Sequence, residues 1–341
     1  MQDKPRTSGT IQHKRVRIPW PEDRDFRILS IDGGGIRGIL PAAFLSEVEK
    51  EWLQGGSIAG HFDLIAGTST GGIIALGLAA GLTAAEISDI YVERGKEIFS
   101  RPGVSSLRRL LKWFVAKQDT EALHRLIDEI FSNKKFGDAG TRLCIPAVDG
   151  KYGEVYVFKT PHHTDYKGDW KHDMAHIAKA TSAAPTYFKP VSHDEFLMLD
   201  GGIWANNPVL VATIEALTCF DVRPEQVKVL SLGCVENRYQ IGWMQRKLGG
   251  QIPWAKSVID GCINMQSQSA VGQAGLLLGR DHILRIDSPP LTRAIELDDW
   301  RRAHKELPGI AKDLAKQYGQ QVKDSFLHST SEKLVPLYKA A

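Results

Sequence analysis

Gly67-Thr68-Ser69-Thr70-Gly71 sets a serine midway between two glycines, each two positions away. An apolar run, Leu64 to Ala66, precedes it, and a second one, Ile73 to Leu76, follows. A serine at the tip of a sharp strand-to-helix turn presents its Oγ outward. The turned backbone brings strand and helix together, so the positions two before and two after must be small. The helix N-terminus beyond the serine favours negative charge as it develops. This is chemistry suited to attack on a carbonyl carbon. By itself the pattern also fits a helix start rich in small residues.

Such an attack creates an oxyanion, which needs preorganised N–H donors. Ser30 to Leu40, "SIDGGGIRGIL", offers them. Successive glycines at a strand end can turn several amides toward one point. Gly33, Gly34 and Gly35 suit that task, with Gly34 and Gly35 the better donors. Arg37 can hold the loop or pair with an anionic group. The same stretch fits G-x-G-x-x-G, so dinucleotide binding is the rival reading. That reading needs an acidic residue at the end of the second strand. Here that strand ends in Gly67-Thr68-Ser69, and Asp63 stands at its other end. No G-K-[ST] occurs, so there is no P-loop.

The serine also needs a base. His162 and His163 fall in a polar loop, His193 lies in another, and His282, His304 and His328 lie near the C-terminus. All read as surface or structural histidines. Asp200 is better placed: it follows Phe-Leu-Met-Leu and precedes Gly201-Gly202. A carboxylate at a strand tip can take the serine proton directly, and burial would raise its pKa toward working pH. An ordinary Asp-Gly-Gly turn is the bland alternative.

The elements that must position these groups alternate. Residues 26–31 and 64–67 read as buried strands, and 36–53, 70–80 and 84–98 as helices. Residues 104–132 read as two further helices joined near Asp119, and 141–149 and 154–160 as strands about a glycine-containing turn. A helix over 172–183, a strand ending at Asp200, a helix over 208–219 and a buried strand over 227–234 follow. The order implies an α/β fold, a mostly parallel central sheet flanked by helices in three layers. Residues 1–25 read as a loose basic arm, 26–240 as the catalytic domain and 241–341 as a C-terminal extension packed on the core. That extension holds a Gln/Ser-rich run from Cys262, a strand at 282–287 and a charged helix at 298–328.

With 341 residues, 43% apolar and 24% charged, the chain reads as a soluble globular protein. A net charge of +3 is too small to point to nucleic acid. No run of about 18 apolar residues appears, and the polar N-terminus lacks a signal peptide's apolar core. Four cysteines without C-x-x-C spacing read as reduced, buried thiols, with no zinc site. The expected location is therefore cytoplasmic.

The three motifs in this order, "DGGGIRG" (32–38), "GTSTG" (67–71) and "DGG" (200–202), resemble the patatin-like phospholipases over roughly residues 26–235. The resemblance implies a Ser69–Asp200 dyad without histidine or catalytic metal, an oxyanion loop at Gly33–Gly35, and support from Arg37 and Gly38. Gly67 and Gly71 take the elbow positions, and Gly201 and Gly202 the loop beside the base. The implied activity is phospholipase A-type acyl-ester hydrolysis. A general esterase or neutral-lipid hydrolase is the alternative. A nucleotide-binding module and a noncatalytic interaction protein are the other two classes.

Two further stretches bear on partners. Leu107, Leu110, Leu111 and Phe114 fall on one helical face beside Arg108, Arg109, Lys112 and Trp113. A basic amphipathic helix of this kind can lie on an anionic bilayer, with Trp113 and Phe114 in contact, or can simply pack on the core. Some bacterial members of the resembled family are antiphage effectors switched on by a cyclic nucleotide. The chain is compatible with that group. Gln268 and Arg280 are the candidate contacts for base and phosphate. The alternative is a helix with a polar outer face. Peripheral membrane contact when active and a homo-oligomer complete the expected partners.

Overall fold

The computed structural model describes residues 15–99, 118–193, 195–235, 241–248 and 251–338. An eight-stranded sheet runs through it: β1 Phe26–Ile31, β2 Leu64–Gly67, β3 Arg142–Asp149, β4 Glu154–Lys159, β5 Val191–His193, β6 Phe196–Asp200, β7 Val227–Leu232 and β8 Ile283–Ile286. The order is β5-β6-β3-β2-β1-β7-β8, with β4 also on β3. The pairs β3–β2, β2–β1, β1–β7 and β7–β8 are parallel. The pairs β3–β4, β3–β6 and β5–β6 are antiparallel.

The helices are α1 Ile39–Trp52, α2 Thr70–Ala79, α3 Ala84–Phe99, α4 Thr120–Phe131, α5 Met174–Thr181, α6 Gly202–Ala205, α7 Val209–Cys219, α8 Trp243–Leu248, α9 Gln251–Leu278 and α10 Trp300–Phe326. The central strands β1, β2 and β7 are buried along almost their whole length because both sheet faces are covered. Their side chains still alternate between two cores. Leu29 and Ile31 of β1 join the core under α1, α2 and α10, while Phe26 and Ile28 join the one under α7 and α9.

The C-terminal segment belongs to the same body. β8 extends the sheet beside β7. α10 buries Ala303, Leu307, Ala311, Leu314, Gly319 and Val322 along one stripe. The Trp52 ring of α1 lies so close over Gly319 that a Cβ there would meet it at 2.1 Å. Among the described residues, no helix is long and apolar enough to cross a membrane. Cys144, Cys219 and Cys234 are buried, but Cys262 is exposed on α9. The expectation of four buried thiols thus holds for three, and α9 turns the fourth to solvent.

Candidate active site

β1 and β2 run side by side in parallel, with Ile31 opposite Gly67. The glycine loop and the serine turn therefore leave the sheet at the same edge. Ser69 has φ 57° and ψ −122°, a backbone region that side chains other than glycine rarely adopt. The turn is fastened on several sides. Thr68 N donates to Ile31 O at 3.2 Å, and Thr68 Oγ1 to Ala205 O at 2.6 Å. Ser69 N donates to Thr181 Oγ1 at 3.1 Å, and Thr181 Oγ1 in turn to Pro146 O at 2.6 Å. A Cβ on Gly67 would lie 2.1 Å from Gly71 O, and one on Gly71 2.3 Å from Ile31 O. Close backbone approach thus requires both flanking glycines.

Asp200 comes from the opposite direction. β6 is antiparallel to β3 and places Asp200 opposite Ala147. Its carboxylate is 4% exposed. It accepts from Gly202 N at 2.7 Å and lies close enough to the Ser69 hydroxyl to feel it. Burial pushes the carboxyl up to about 6, against the Ser69 hydroxyl and the Gly202 amide, which pull it down. A Cβ on Gly201 would meet Pro146 O at 2.3 Å, so the backbone after Asp200 lies directly on β3. Trp204 Nε1 donates to Ala147 O at 2.9 Å and anchors the short helix that follows.

The glycine loop departs from the sequence reading at one position. Gly33 N donates to Asn206 O at 2.9 Å, so this amide is committed to the protein rather than to a ligand. Gly34 and Gly35 remain as the amides the loop can offer. Gly35 has φ +56°, and a Cβ there would meet Leu297 O at 2.5 Å. Arg37 lies across the loop: Nε donates to Gly34 O at 3.2 Å and Nη1 to Val235 O at 3.0 Å. Of its two sequence-read roles, this geometry is that of holding the loop. Gly38 packs on the turn, where a Cβ would meet Thr70 Oγ1 at 2.3 Å.

The histidines have other partners. His162 is buried and shares the Glu215 carboxylate with Lys159, at 3.1 and 2.6 Å. His163 Nε2 lies 3.0 Å from Val16 O. His193 packs against the tilted rings of His172 and His176, with centroids 4.1 and 4.6 Å away.

On α9, Gln266 and Ser267 face inward and bond Asn207. Gln268 and Arg280 are both exposed. Gln268 Nε2 donates to Asn264 Oδ1 at 2.8 Å. Arg280 follows the end of α9 and folds back on it, so that a Cβ on Gly275 would lie 3.4 Å from its Cγ. Trp113 and Phe114 lie outside the described residues. No group of three or more His, Cys, Asp or Glu side chains that could hold a metal occurs among the described residues.

Sequence reasoning passed over Thr181, Asn206 and Asp32. Asn206 follows Asp200-Gly-Gly within the same short segment. That proximity is a usable signal, because a strand-end catalytic loop must be fastened by what comes next. Thr181 carried no such local signal.

A mostly parallel sheet with a strained serine between strand and helix, beside a glycine-rich loop, is the nucleophile-elbow class of α/β protein. The chain belongs to the patatin-like phospholipase family, whose model matches residues 29–213. A cGAMP-activated phospholipase of Pseudomonas aeruginosa strain BWHPSA011 / Pa011 is 40% identical over 211 residues, covering 61% of this chain and 62% of that one. A second cGAMP-activated phospholipase, from Escherichia coli strain TW11681, is 37% identical over 228 residues, covering 63% and 64%. Patatin-like protein 2 of Arabidopsis thaliana is 34% identical over 259 residues, covering 65% and 63%. The chain thus spans just under two thirds of the length of these relatives.

Proposed function

We propose that this protein is a serine lipid acyl hydrolase acting on membrane phospholipids through Ser69 and Asp200. The placing of a buried Asp200 carboxylate beside Ser69 at the tip of a strained elbow is the observation that carries the reading. Asp200 accepts the Ser69 proton as Oγ bonds to the ester carbonyl carbon. The Gly34 and Gly35 amides receive the oxyanion. As the tetrahedral intermediate collapses, the C–O bond to the alcohol breaks, and Asp200 returns the proton to that oxygen. Water then gives its proton to Asp200 and its oxygen to the acyl carbon. Ser69 is released with the proton restored, and the fatty acid leaves. Asp200 suits both turns because a carboxyl raised to about 6 is still mostly ionised at neutral pH yet more basic than an exposed one.

Control by a cyclic nucleotide belongs to the same reading. Its support is the two bacterial relatives, which are cGAMP-activated phospholipases. A ligand activates only by binding the active state more tightly than the inactive one. The test is fatty-acid release from phospholipid vesicles by wild type and Ser69→Ala, with and without cGAMP. Release that needs both Ser69 and cGAMP is expected. Release by Ser69→Ala would overturn the catalytic reading. Equal release by wild type with and without cGAMP would overturn the regulatory one. Activity on a soluble ester but not on vesicles would favour a general esterase.

A further inference from the structure

We propose that Arg285, on β8 in the C-terminal segment, is a positioning residue that holds the oxyanion loop in register. The inference rests on the hydrolase reading above, and it adds a part of the chain that lies beyond the residues matched by the family model.

The glycine loop begins at Asp32, whose side chain is 5% exposed. Arg285 grips that carboxylate with both ends of its guanidinium, Nη1 to Oδ1 at 3.0 Å and Nη2 to Oδ2 at 2.7 Å. A two-point bond of this kind fixes orientation as well as distance. Nη1 also donates to Ser231 Oγ at 2.9 Å, and Nη2 to Asp287 Oδ2 at 3.1 Å. The guanidinium therefore lies between two carboxylates and joins β1, β7 and β8 at the edge from which the loop springs.

The second carboxylate extends the grip. Asp287 Oδ1 accepts from Val235 N at 2.9 Å, and Val235 O accepts from Arg37 Nη1, whose Nε holds Gly34 O. From the other side, Leu297 O accepts Ile36 N at 3.0 Å and lies against Gly35. Both ends of the segment that carries the Gly34 and Gly35 amides are thus held by residues after 280. Asp32 O accepts from Cys234 Sγ at 3.1 Å, a further tie on the same turn.

Without the guanidinium, Asp32 and Asp287 face each other as two carboxylates with the cation between them gone. Like charges this close repel or force a proton onto one of them. Either outcome loosens the start of the loop. Donors must lie about 3 Å from the oxyanion, and misplacement by about 1 Å can cost on the order of a hundredfold in rate. The loss falls on the transition state, because the amides meet full charge only there. Arg285 touches neither substrate nor Ser69 in this account; it acts through Asp32.

The experiment measures kcat and KM on a soluble chromogenic ester for wild type, Arg285→Gln, Arg285→Lys and Ser69→Ala, with melting temperatures alongside. Arg285→Gln is expected to lower kcat by about ten- to a hundredfold with KM within about threefold. Arg285→Lys, which keeps the cation but not the fork, is expected to fall between it and wild type. A folded Arg285→Gln with wild-type kcat, or a loss confined to KM, overturns the proposal. Where Arg285→Gln does not fold, Arg285→Lys decides: reduced kcat supports the role, and full kcat ends it. Undiminished hydrolysis by Ser69→Ala would instead sink the hydrolase reading itself, a result read from a separate variant.

Discussion

Asp200 lies within the influence of the Ser69 hydroxyl, although the two residues leave the sheet from strands of opposite direction. The parallel β2 delivers the serine upward into a helix, and β6, antiparallel to β3, runs down from the same end of the sheet and stops at Asp200. The carboxylate is thereby buried where an exposed turn would leave it in water. Its titration should be visible in the rate. The ionised form is the base, so kcat/KM on a soluble ester should rise with pH, reach half its plateau near pH 6, and stay flat from about pH 7.5. A profile already flat at pH 5 would show that Asp200 titrates normally or is not the base.

The same burial has a consequence for stability. A carboxyl whose pKa is higher folded than unfolded holds its proton more tightly in the folded state. Stability therefore falls as pH rises from about 4 to about 6, and the loss is complete above that. Two pKa units correspond to about 3 kcal/mol. Asp200→Asn keeps an oxygen for Gly202 N and carries no charge. It should melt a few degrees higher than wild type at pH 8, with the gap closing toward pH 4, while hydrolysis is lost. A melting temperature lowered at pH 8 would mean that the ionised carboxylate stabilises the fold.

Glu215 behaves in the opposite sense. Burial pushes its carboxyl up, but bonds from His162 and Lys159 more than reverse that and leave it below the ordinary range. Cys219 Sγ, at 3.2 Å, and the Tyr166 hydroxyl also donate to it. Its contribution is present above the unfolded pKa of about 4.3 and is lost as pH falls below it. Glu215→Gln leaves Lys159 without its charge partner in a site that is 17% exposed. The expected loss is about 3 kcal/mol, the lower end for breaking a buried pair, with kcat of the folded protein near wild type. Denaturant midpoints and initial rates measured together check both halves. A large fall in kcat at unchanged stability would assign the cluster a catalytic role.

Motifs whose meaning is local were legible in the sequence. The elbow needs only five residues, and the alternating strands and helices around it follow from apolar runs and periodicity. β1, α2, α3 and α10 lie within a residue or two of where that pattern puts them. What depended on distant partners was not legible. Gly33 looks like its two neighbours in sequence, and only the fold brings Asn206 O to its amide. In sequence Arg285 only flanks the Gln/Ser-rich run as a cation that could meet phosphate, whereas sheet register seats it between Asp32 and Asp287. α9 runs for 28 residues, much of it through a Gln/Ser-rich run with a weak apolar stripe. Its inner face is satisfied by polar contacts such as Gln266 to Asn207, which periodicity does not detect. β5 has three residues and exists only as the edge partner of β6.

The central claim is that Ser69 and Asp200 act as one unit, and turnover of a soluble ester by Ser69→Ala, Asp200→Ala and the double variant tests it most directly. Each single substitution should lower kcat by at least about a thousandfold, and the double should be little worse than either, because a nucleophile and its base lose function together. Folded single variants whose losses multiply in the double, or an Asp200→Ala protein that keeps most of its turnover, would contradict the account.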